Sequence, residues 1–417
     1  MSRVLAYTSP AHGHLFPLMA ILKELRRRGH EVALRTLAGE VAKLRSLGFE
    51  ATPIASSIEA LRMDDWKART PIGGAKGAMA VFGARAEHDA ADLRQAIEEE
   101  CPSAVLVDIM SWGALAAAEA WGGPWASFSP LPLSLPSPDA PPFGPGLRPA
   151  RGPLGRLRDR LIWASYIAVF DPFVRSRLNP LRASLGIRPL GRTHEMFLKP
   201  PLLLYMTAEG FEYPRSDWPE NIVMVGPCVW DPPAELPPEL AKIEDPFVLV
   251  TTSSEFQDDG RLVRAALAGL ADEPYHVVAT LPSASAEGLA APPNATVLPF
   301  APHGPILDRS ACAITHGGMG ATQRALARGV PVCVAPFGRD QFEVARRVEV
   351  ASAGTRLPPW RLRPRRLRAK VREAIACRAG AERVAAAFAA TGGPSAAADA
   401  FERRLGLRPD RARVGDV

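Results

Sequence analysis

The chain has 417 residues, of which 47% are hydrophobic and 23% charged, a composition typical of a folded protein with more than one domain. Disordered, collagen-like and coiled-coil classes are excluded, because apolar surface for burial is ample and no short repeat is present. The formal net charge is +6, and the basic residues concentrate in residues 356–378, which contain one aromatic, Trp360. We therefore expect no nucleic-acid partner and interpret that segment as a helix with a solvated basic face.

The predicted elements of the first half alternate between strand and helix. Strands are predicted at 3–9, 31–36, 104–108, 125–129, 202–207 and 222–225, and helices at 15–28, 41–48, 76–100, 112–121 and 154–185. Residues 130–153 are rich in Pro and Gly and predict a long loop. Strand–helix alternation of this kind predicts a parallel sheet with crossover helices.

A second series of the same kind follows a Pro- and Glu-rich stretch. Strands are predicted at 247–252, 276–281, 296–300, 313–315, 332–335 and 354–357, and helices at 261–270, 321–328 and onward to the end. The sequence thus predicts an α/β fold with two tandem Rossmann-like doubly wound domains facing across a cleft. The predicted divisions are 1–226 (acceptor domain), 227–246 (linker), 247–395 (nucleotide-sugar domain) and 396–417 (C-terminal helix and tail).

The cysteines and the apolar runs indicate the cellular compartment in which the protein is expected to fold. The five cysteines are odd in number and form no Cys-x-x-Cys pair, which favours free thiols in a reducing compartment over disulfides or a zinc site. No run of 18 uncharged apolar residues occurs, and the first strand pattern begins at Arg3, which leaves no room for a leader. We expect a cytoplasmic protein without stable membrane insertion.

A histidine and a carboxylate follow two strands of the first predicted sheet. His14 lies just beyond the first strand, and Asp108 ends another. Because parallel strands end at one edge of a sheet, both side chains are expected in the same cleft. A His backed by a carboxylate is suited to general base catalysis. A capping or packing role is the alternative for a single His.

Two loops of the second domain carry polar side chains to the corresponding edge. The Gly-rich segment 315–322 follows a buried strand and opens a helix, so its amides are suited to an anion, with His316 and Thr322 as further donors. It is neither a Walker loop nor Gly-x-Gly-x-x-Gly, and a tight turn is the alternative. Asp340 and Gln341 follow the next strand and are suited to polyol hydroxyls, with a helix N-cap as the alternative.

These motifs together resemble the nucleotide-sugar-dependent glycosyltransferases of the GT-B fold. More narrowly, the chain resembles the UDP-glycosyltransferase-like bacterial branch that acts on macrolides, aromatic polyketides and other natural products. The matching segments, in family order and spacing, are 12–17, 29–32, 107–108, 225–227, 300–302, 315–318, 329–331 and 340–341.

The resemblance implies a role for each motif. His14 would take a proton from an acceptor hydroxyl, and Asp108 would orient His14 and balance its charge. Donor contacts are implied for the diphosphate at Ser254, His316, Gly317, Gly318, Gly320, Ala321 and Thr322, for the base at Phe300 and Ala301, and for the sugar at Asp340 and Gln341. No Asp-x-Asp occurs, so neither a metal nor a cofactor is expected, and the nucleotide sugar is a co-substrate.

The donor and the acceptor are less defined. Arg324 stands where many relatives carry a Glu that binds the ribose hydroxyls of UDP, so it is a further candidate donor contact and leaves both UDP and TDP sugars open. An aromatic and Met-rich lining would suit a flat hydrophobic acceptor, with core packing as the alternative for each side chain. The candidates are Met63, Trp66, Met79, Phe82, Phe143 and Phe170.

The sequence therefore predicts an inverting glycosyltransferase that moves a sugar from a TDP- or UDP-linked donor to a hydroxyl of a small hydrophobic natural product. Two alternatives are a non-catalytic nucleotide-sugar-binding subunit and a sugar-nucleotide epimerase on the same scaffold. The expected partners are the nucleotide sugar and the acceptor, and a homodimer is compatible with the sequence.

Overall fold

The computed structural model describes residues 2–150, 152–231, 234–283 and 289–407. It contains a seven-stranded and a six-stranded sheet that follow one another along the chain. All strand pairings within the two sheets are parallel. This architecture confirms the predicted α/β class with two doubly wound domains.

The first domain begins with a strand that lies at the centre of its sheet. Its strands are β1 (Arg3–Tyr7), β2 (Glu31–Thr36), β3 (Glu50–Pro53), β4 (Ala104–Asp108), β5 (Trp125–Ser129), β6 (Leu203–Tyr205) and β7 (Ile222–Met224). Its helices are α1 (His12–Arg27), α2 (Ala38–Ser46), α3 (Ser56–Ala60), α4 (Pro71–Glu100), α5 (Trp112–Trp121) and α6 (Gly152–Ser184). The strand order is β3-β2-β1-β4-β5-β6-β7, so the chain reverses direction across the sheet between β1 and β4.

The second domain repeats this plan. Its strands are β8 (Phe247–Thr251), β9 (His276–Thr280), β10 (Ala295–Leu298), β11 (Ser310–Thr315), β12 (Val332–Val334) and β13 (Gly354–Arg356). The helices after the first sheet are α7 (Pro238–Ala241), α8 (Gly260–Leu270), α9 (His303–Leu307), α10 (Met319–Leu326), α11 (Gln341–Val350), α12 (Pro364–Ile375), α13 (Arg378–Ala390) and α14 (Gly393–Leu405). The order β10-β9-β8-β11-β12-β13 places its reversal between β8 and β11. Ligands of such sheets bind beyond the strand ends at the reversal.

Each sheet is buried on both faces, which explains the continuous apolar runs in the sequence. In β1, Val4 and Ala6 belong to one core cluster while Leu5 and Tyr7 belong to another. The strands of the second domain divide in the same way between two clusters. The central strands therefore hold the loops at their carboxyl ends on a rigid base.

The short helices α3 and α7, strand β3 and helix α9 were not predicted from the sequence. Strand β3 reads Glu-Ala-Thr-Pro and lacks an apolar run, because it is an edge strand paired with β2 alone. Helix α9 has five residues, too few to show a helical period. Strand β10 also ends at Leu298, before the predicted end at position 300, so Phe300 lies in the loop that follows.

Several polar contacts join the two domains beside the cleft. The loop after β5 reaches the second domain, where the amides of Gly144 and Gly146 donate to Glu343 Oε1, each at 2.8 Å. A bidentate ion pair joins Arg347 to Glu212 at 2.8 and 2.9 Å, and both side chains are almost fully buried. These contacts place the carboxyl ends of both sheets on a shared cleft.

The last helix returns to the first domain. Phe401 of α14 is fully buried in the core cluster of β1 and α1. His30 and Arg28 contact the Glu402 carboxylate at 3.0 and 2.9 Å, and Arg28 also pairs with Asp399. The chain therefore crosses between the domains a second time before it ends.

Candidate active site

His14 and Asp108 form a hydrogen-bonded pair at the edge of the first sheet. β1 and β4 are adjacent and parallel, with Tyr7 opposite Val107, so their ends lie side by side. Asp108 is the last residue of β4, and His14 lies in the first turn of α1. The distance from His14 Nδ1 to Asp108 Oδ1 is 2.9 Å. The structure thus brings together the two side chains that the sequence paired.

The Asp108 carboxylate remains ionised because its neighbours stabilise the charge. Burial would raise the pKa of Asp108, but the facing His14 and the hydrogen bonds from Met110 and Ser9 outweigh it, so the pKa is lowered. Met110 donates its amide to Oδ1 at 2.9 Å, and Ser9 donates its amide and hydroxyl to Oδ2 at 2.9 and 2.6 Å. An ionised Asp108 accepts a hydrogen bond from the Nδ1–H group of His14 and so leaves the Nε2 lone pair free as a base.

Carboxylates from the second domain also act on His14. Burial would lower the pKa of His14, but Asp108 outweighs this effect, with further help from Glu255 and Asp340, and the pKa is raised. Glu255 follows β8, and Asp340 follows β12. The imidazole of the first domain therefore lies within electrostatic range of loops from the second, as expected for a shared cleft.

His12, two positions before His14, has a different environment. Its Nε2 lies 3.0 Å from Glu40 Oε1, and its side chain is about one-third exposed. The sequence motif contains both histidines, and the structure pairs only His14 with the Asp108 carboxylate at the strand ends.

The Gly-rich loop between β11 and α10 differs in its amides from one residue to the next. The Gly317 amide donates to Thr315 Oγ1 at 3.1 Å, so its predicted contact with a diphosphate is not supported. Gly317 has φ of +94°, and a Cβ there would lie 3.0 Å from Val334 and Gln341 atoms, so the turn requires glycine. Gly318 is the N-cap and provides no side-chain cap, while Gly320 and Ala321 lie in the first helical turn. Amides of a first turn have no acceptor within the helix and favour an anion.

His316 and Thr322 lie beneath this loop rather than on its surface. Burial lowers the pKa of His316, so its imidazole is neutral, and its buried Nδ1 has no hydrogen-bond partner among the described residues. A neutral imidazole still supplies one N–H donor. Thr322 is fully buried, and its hydroxyl lies 3.2 Å from that of Thr315. Thr322 therefore holds the turn together, and the predicted contact of its hydroxyl with a diphosphate is not supported.

The predicted base-binding and phosphate-binding loops lie on the same side of the second sheet. Phe300 is 76% exposed and offers a free aromatic face, whereas Ala301 is buried beneath it. Ser254 is exposed in the loop after β8. The Ser253 amide donates to Asp259 Oδ2 at 2.7 Å, which fixes the start of that loop.

The side chains of Asp340 and Gln341 differ in how far protein hydrogen bonds already occupy them. Asp340 is the N-cap residue of α11 but makes no side-chain cap, so its carboxylate remains available to the cleft. Gln341 is buried; its Oε1 accepts from the Phe337 and Gly338 amides, and its Nε2 donates to Gln257. The Oε1 atom is therefore engaged within the loop, and the predicted sugar contact of the Gln341 side chain is left with the second N–H group of Nε2.

Arg324 is paired with Asp231, a residue of the segment that connects the two sheets along the chain. Its Nε lies 3.1 Å from Asp231 Oδ1, and Arg328 contacts the other oxygen of that carboxylate at 2.7 Å. Burial and Arg324 together lower the pKa of the nearby His303 to about 4. The candidate donor contact Arg324 is thus engaged in an arginine–aspartate pair.

The predicted acceptor residues fall into separate groups. Met79 and Phe82 of α4 are partly buried beside the cluster that contains Trp112. Phe170 of α6 is buried, with its ring centroid 4.7 Å from that of Tyr166. Met79 and Phe82 remain candidate wall residues, while Phe170 has the packing role that was the alternative.

The remaining three acceptor candidates lie near the domain boundary. Met63 and Phe143 are partly buried. Trp66 is 38% exposed and packs against Phe256 of the second domain, with ring centroids 5.1 Å apart. Trp66 thus contacts the other domain, which its sequence position does not indicate.

Three charged residues of the cleft were not identified from the sequence. Arg339 joins Asp65 of the first domain to Glu255 of the second. Arg339 is next to Asp340 in the motif, and that adjacency was the available signal. Asp65 lies 274 positions earlier, and no local pattern connects the two.

The described part of the chain shows neither a metal cluster nor a membrane span. No group of three or more His, Cys, Asp or Glu side chains is arranged there to hold a metal ion. No helix in those residues combines the length and apolar character that crossing a bilayer requires.

Comparison with known proteins identifies the family. Residues 264–403 match the family model described as erythromycin biosynthesis protein CIII-like, C-terminal domain. Over 387 residues the chain is 32% identical to 4'-demethylrebeccamycin synthase of Lentzea aerocolonigenes, with 90% of this chain and 92% of that protein covered. The chain belongs to the natural-product glycosyltransferases of the GT-B fold.

Solved structures of other glycosyltransferases share this fold over nearly the whole chain. The calicheamicin glycosyltransferase CalG4 superimposes with a TM-score of 0.74 at 24% identity, over 97% of this chain and 98% of that chain. The glycosyltransferase VinC, solved in complex with dTDP, has a TM-score of 0.69 at 22% identity, over 97% and 99% of the two chains. The glycosyltransferase described here thus has the two-domain architecture of these enzymes.

Proposed function

We propose that this glycosyltransferase moves a sugar from a nucleoside-diphosphate donor to a hydroxyl of a small hydrophobic natural product, with inversion at the anomeric carbon. The observation that carries the proposal is the His14–Asp108 pair, which lies within electrostatic range of Glu255 and Asp340 across the cleft. A base on one domain that faces donor-binding loops of the other can hold the acceptor hydroxyl close to the anomeric carbon for a direct displacement.

The proposed reaction begins at the His14 imidazole. Asp108 accepts a hydrogen bond from the Nδ1–H group, so the Nε2 lone pair is free to take the proton of the acceptor hydroxyl. The acceptor oxygen then forms a bond to the anomeric carbon while the bond from that carbon to the phosphate oxygen breaks. The electron pair leaves with the diphosphate, and the ionised Asp108 stabilises the resulting imidazolium.

The Gly-rich loop is proposed to hold the leaving diphosphate. The free amides of Gly320 and Ala321 and the neutral His316 would donate hydrogen bonds to oxygens on which charge builds. Phe300 would stack on the nucleobase, because its ring is exposed in the loop that follows β10. The proposed transfer uses no cofactor beyond the nucleotide sugar.

Replacement of the base tests this function. His14→Ala is expected to lower kcat about 1000-fold, because the acceptor hydroxyl loses its proton acceptor. Binding of the nucleotide sugar should persist, since His14 lies on the other domain. The measurement is glycoside formation by mass spectrometry with dTDP- and UDP-sugars and a panel of phenols and macrolide alcohols.

His12→Ala is the matched control, because His12 lies on the same turn and pairs with Glu40 rather than Asp108. Its activity should remain near the wild-type value. Near wild-type turnover by His14→Ala would remove the base assignment, and the absence of any glycoside with the wild-type enzyme would remove the proposed function.

We also propose that the donor is a thymidine diphosphate sugar. Arg324 offers no hydrogen-bond acceptor to a ribose 2′-hydroxyl, and both oxygens of the neighbouring Asp231 carboxylate are already paired with guanidinium groups, of Arg324 and Arg328. A deoxyribose needs no such acceptor. The binding of dTDP by VinC, a protein of the same fold, supports this choice.

Introducing an acceptor at this position should change the nucleotide preference. In the double variant Arg324→Glu, Asp231→Asn, the ratio of kcat/KM for UDP-glucose to that for dTDP-glucose should rise about tenfold, the effect of one hydrogen bond to a charged group. Asp231→Asn is included because the introduced glutamate would otherwise face a second carboxylate, and the single Asp231→Asn variant is the control. An unchanged ratio in the double variant would contradict the proposal.

A further inference from the structure

An ion pair crosses the cleft next to the proposed sugar-binding carboxylate. Arg339 donates from Nε to Asp65 Oδ2 at 3.0 Å and from Nη2 to Asp65 Oδ1 at 2.9 Å. Its Nη1 lies 3.3 Å from Glu255 Oε2, on the loop that follows β8. The guanidinium therefore joins a carboxylate of the first domain to one of the second, and both its planar edges are engaged.

The backbone of Arg339 has a disfavoured conformation at this contact. Its φ of +52° lies in the left-handed region, which disfavours residues with a Cβ. Such a conformation persists when the surrounding contacts hold it in place. Because Asp340 is the next residue, relaxation of Arg339 would move the carboxylate proposed to bind the donor sugar.

The Asp65 side of the contact is firmly seated on the first domain. The Asp65 side chain is 8% exposed. A Cβ on Gly74 of α4 would lie only 3.3 Å from the Asp65 carbonyl oxygen, so the Asp65 turn packs tightly on that helix. The neighbouring Trp66 packs edge-on against Phe256, next to Glu255. One turn of the first domain thus contacts both loops that flank the proposed sugar site.

We propose that Asp65 is a positioning residue of the donor-sugar site. When the two domains are together, Asp65 acts through Arg339 and so holds the Asp340 carboxylate in the position in which that carboxylate binds the sugar. The inference rests on the proposed function, because it assigns the sugar contact to Asp340. It predicts that the first domain contributes to binding the sugar part of the donor and not its nucleotide part. The nucleotide contacts at Phe300 and the Gly-rich loop lie on the second domain and are independent of Asp65.

The test compares the binding of a nucleotide sugar with that of its free diphosphate. Asp65→Asn should weaken binding of dTDP-glucose or UDP-glucose about tenfold, the cost of one charge-assisted contact, and should leave Kd for dTDP or UDP within about twofold. Titration calorimetry on the full chain measures all four constants without turnover. In steady-state assays the donor KM should rise while the acceptor KM stays constant.

Asp64→Asn is the matched control, because Asp64 is the neighbouring carboxylate, is well exposed and pairs with Lys67 alone among the described residues. The Asp64→Asn variant should have the wild-type Kd values for all four ligands and the wild-type donor and acceptor KM. Arg339→Lys, which loses the bidentate geometry, should have the same effect as Asp65→Asn, and the double variant should be no worse than either single one.

The outcomes separate this inference from the proposed function. If the wild-type enzyme forms no glycoside, the proposed function fails, and the positioning role that rests on it fails too. If it does and Asp65→Asn keeps the same ratio of the two constants, the positioning role is wrong while the proposed function stands. Equal weakening of sugar-bearing and sugar-free ligands would show a general structural effect and would also overturn the role.

Discussion

His14 and Asp108 are separated by 94 positions in the chain, and their partnership depends on strand order rather than on sequence proximity. The sequence predicted both residue types at the ends of parallel strands, and the structure places them 2.9 Å apart. The sequence did not indicate that Ser9 and Met110 donate the hydrogen bonds that keep Asp108 ionised. Those hydrogen bonds depend on loop geometry after the strands, which no periodicity describes.

At the residue scale, the pH dependence of activity should report the charge on Asp108. Asp108 raises the pKa of His14 against the effect of burial, so in Asp108→Asn burial prevails and this pKa falls. The base acts when unprotonated, so activity is lost as the pH falls through the His14 pKa, and this acidic limb should move to lower pH in the variant. The plateau of kcat/KM should fall about 100-fold or more, because the imidazolium loses its counter-charge.

The pH profile of kcat/KM for wild type and variant measures both effects. Glu40→Gln, which removes the carboxylate beside His12, is the control and should leave the limb in place. A limb that stays fixed in Asp108→Asn, or moves to higher pH, would contradict the pairing of His14 with an ionised Asp108.

At the scale of elements, the long and strongly apolar segments were predictable and the connections were not. β2, β4, β5 and α5 have the predicted bounds. The Gln341 side chain shows where such reasoning stops. Its position beside the cleft was correct, but the two loop amides that occupy its Oε1 are set by tertiary packing.

The last helix makes an element-scale prediction. Phe401 is fully buried in the core of the first domain, so Phe401→Ala should cost about 3–5 kcal/mol of local stability. Hydrogen exchange should accelerate in β1 and α1 and remain unchanged in β8 and β11, because those strands belong to other clusters. Arg403→Ala, an exposed change on the same helix, should alter stability by less than about 0.5 kcal/mol. Faster exchange confined to the second domain would show that α14 does not stabilise the first.

At the scale of the whole molecule, two strand–helix series predicted two domains and a cleft, and the structure confirms the architecture. The relative orientation of the two domains depends on residues such as Glu343, whose carboxylate accepts hydrogen bonds from the Gly144 and Gly146 amides of the other domain. Contacts between distant segments leave no trace in composition or period. The sequence therefore predicted the loops that carry the chemistry but not Asp65 and Arg339, which join them.

The return of α14 to the first domain has a consequence for recombining members of this family. A hybrid that takes its acceptor half from this chain and its donor half from a relative has two junctions rather than one. The first falls between residues 226 and 246, and the second falls just before residue 393. A fusion at the first junction alone would place the last helix of the relative in the core position that Phe401 fills here. The core of the acceptor half would then be packed imperfectly, and assays of acceptor specificity would be made on a destabilised domain.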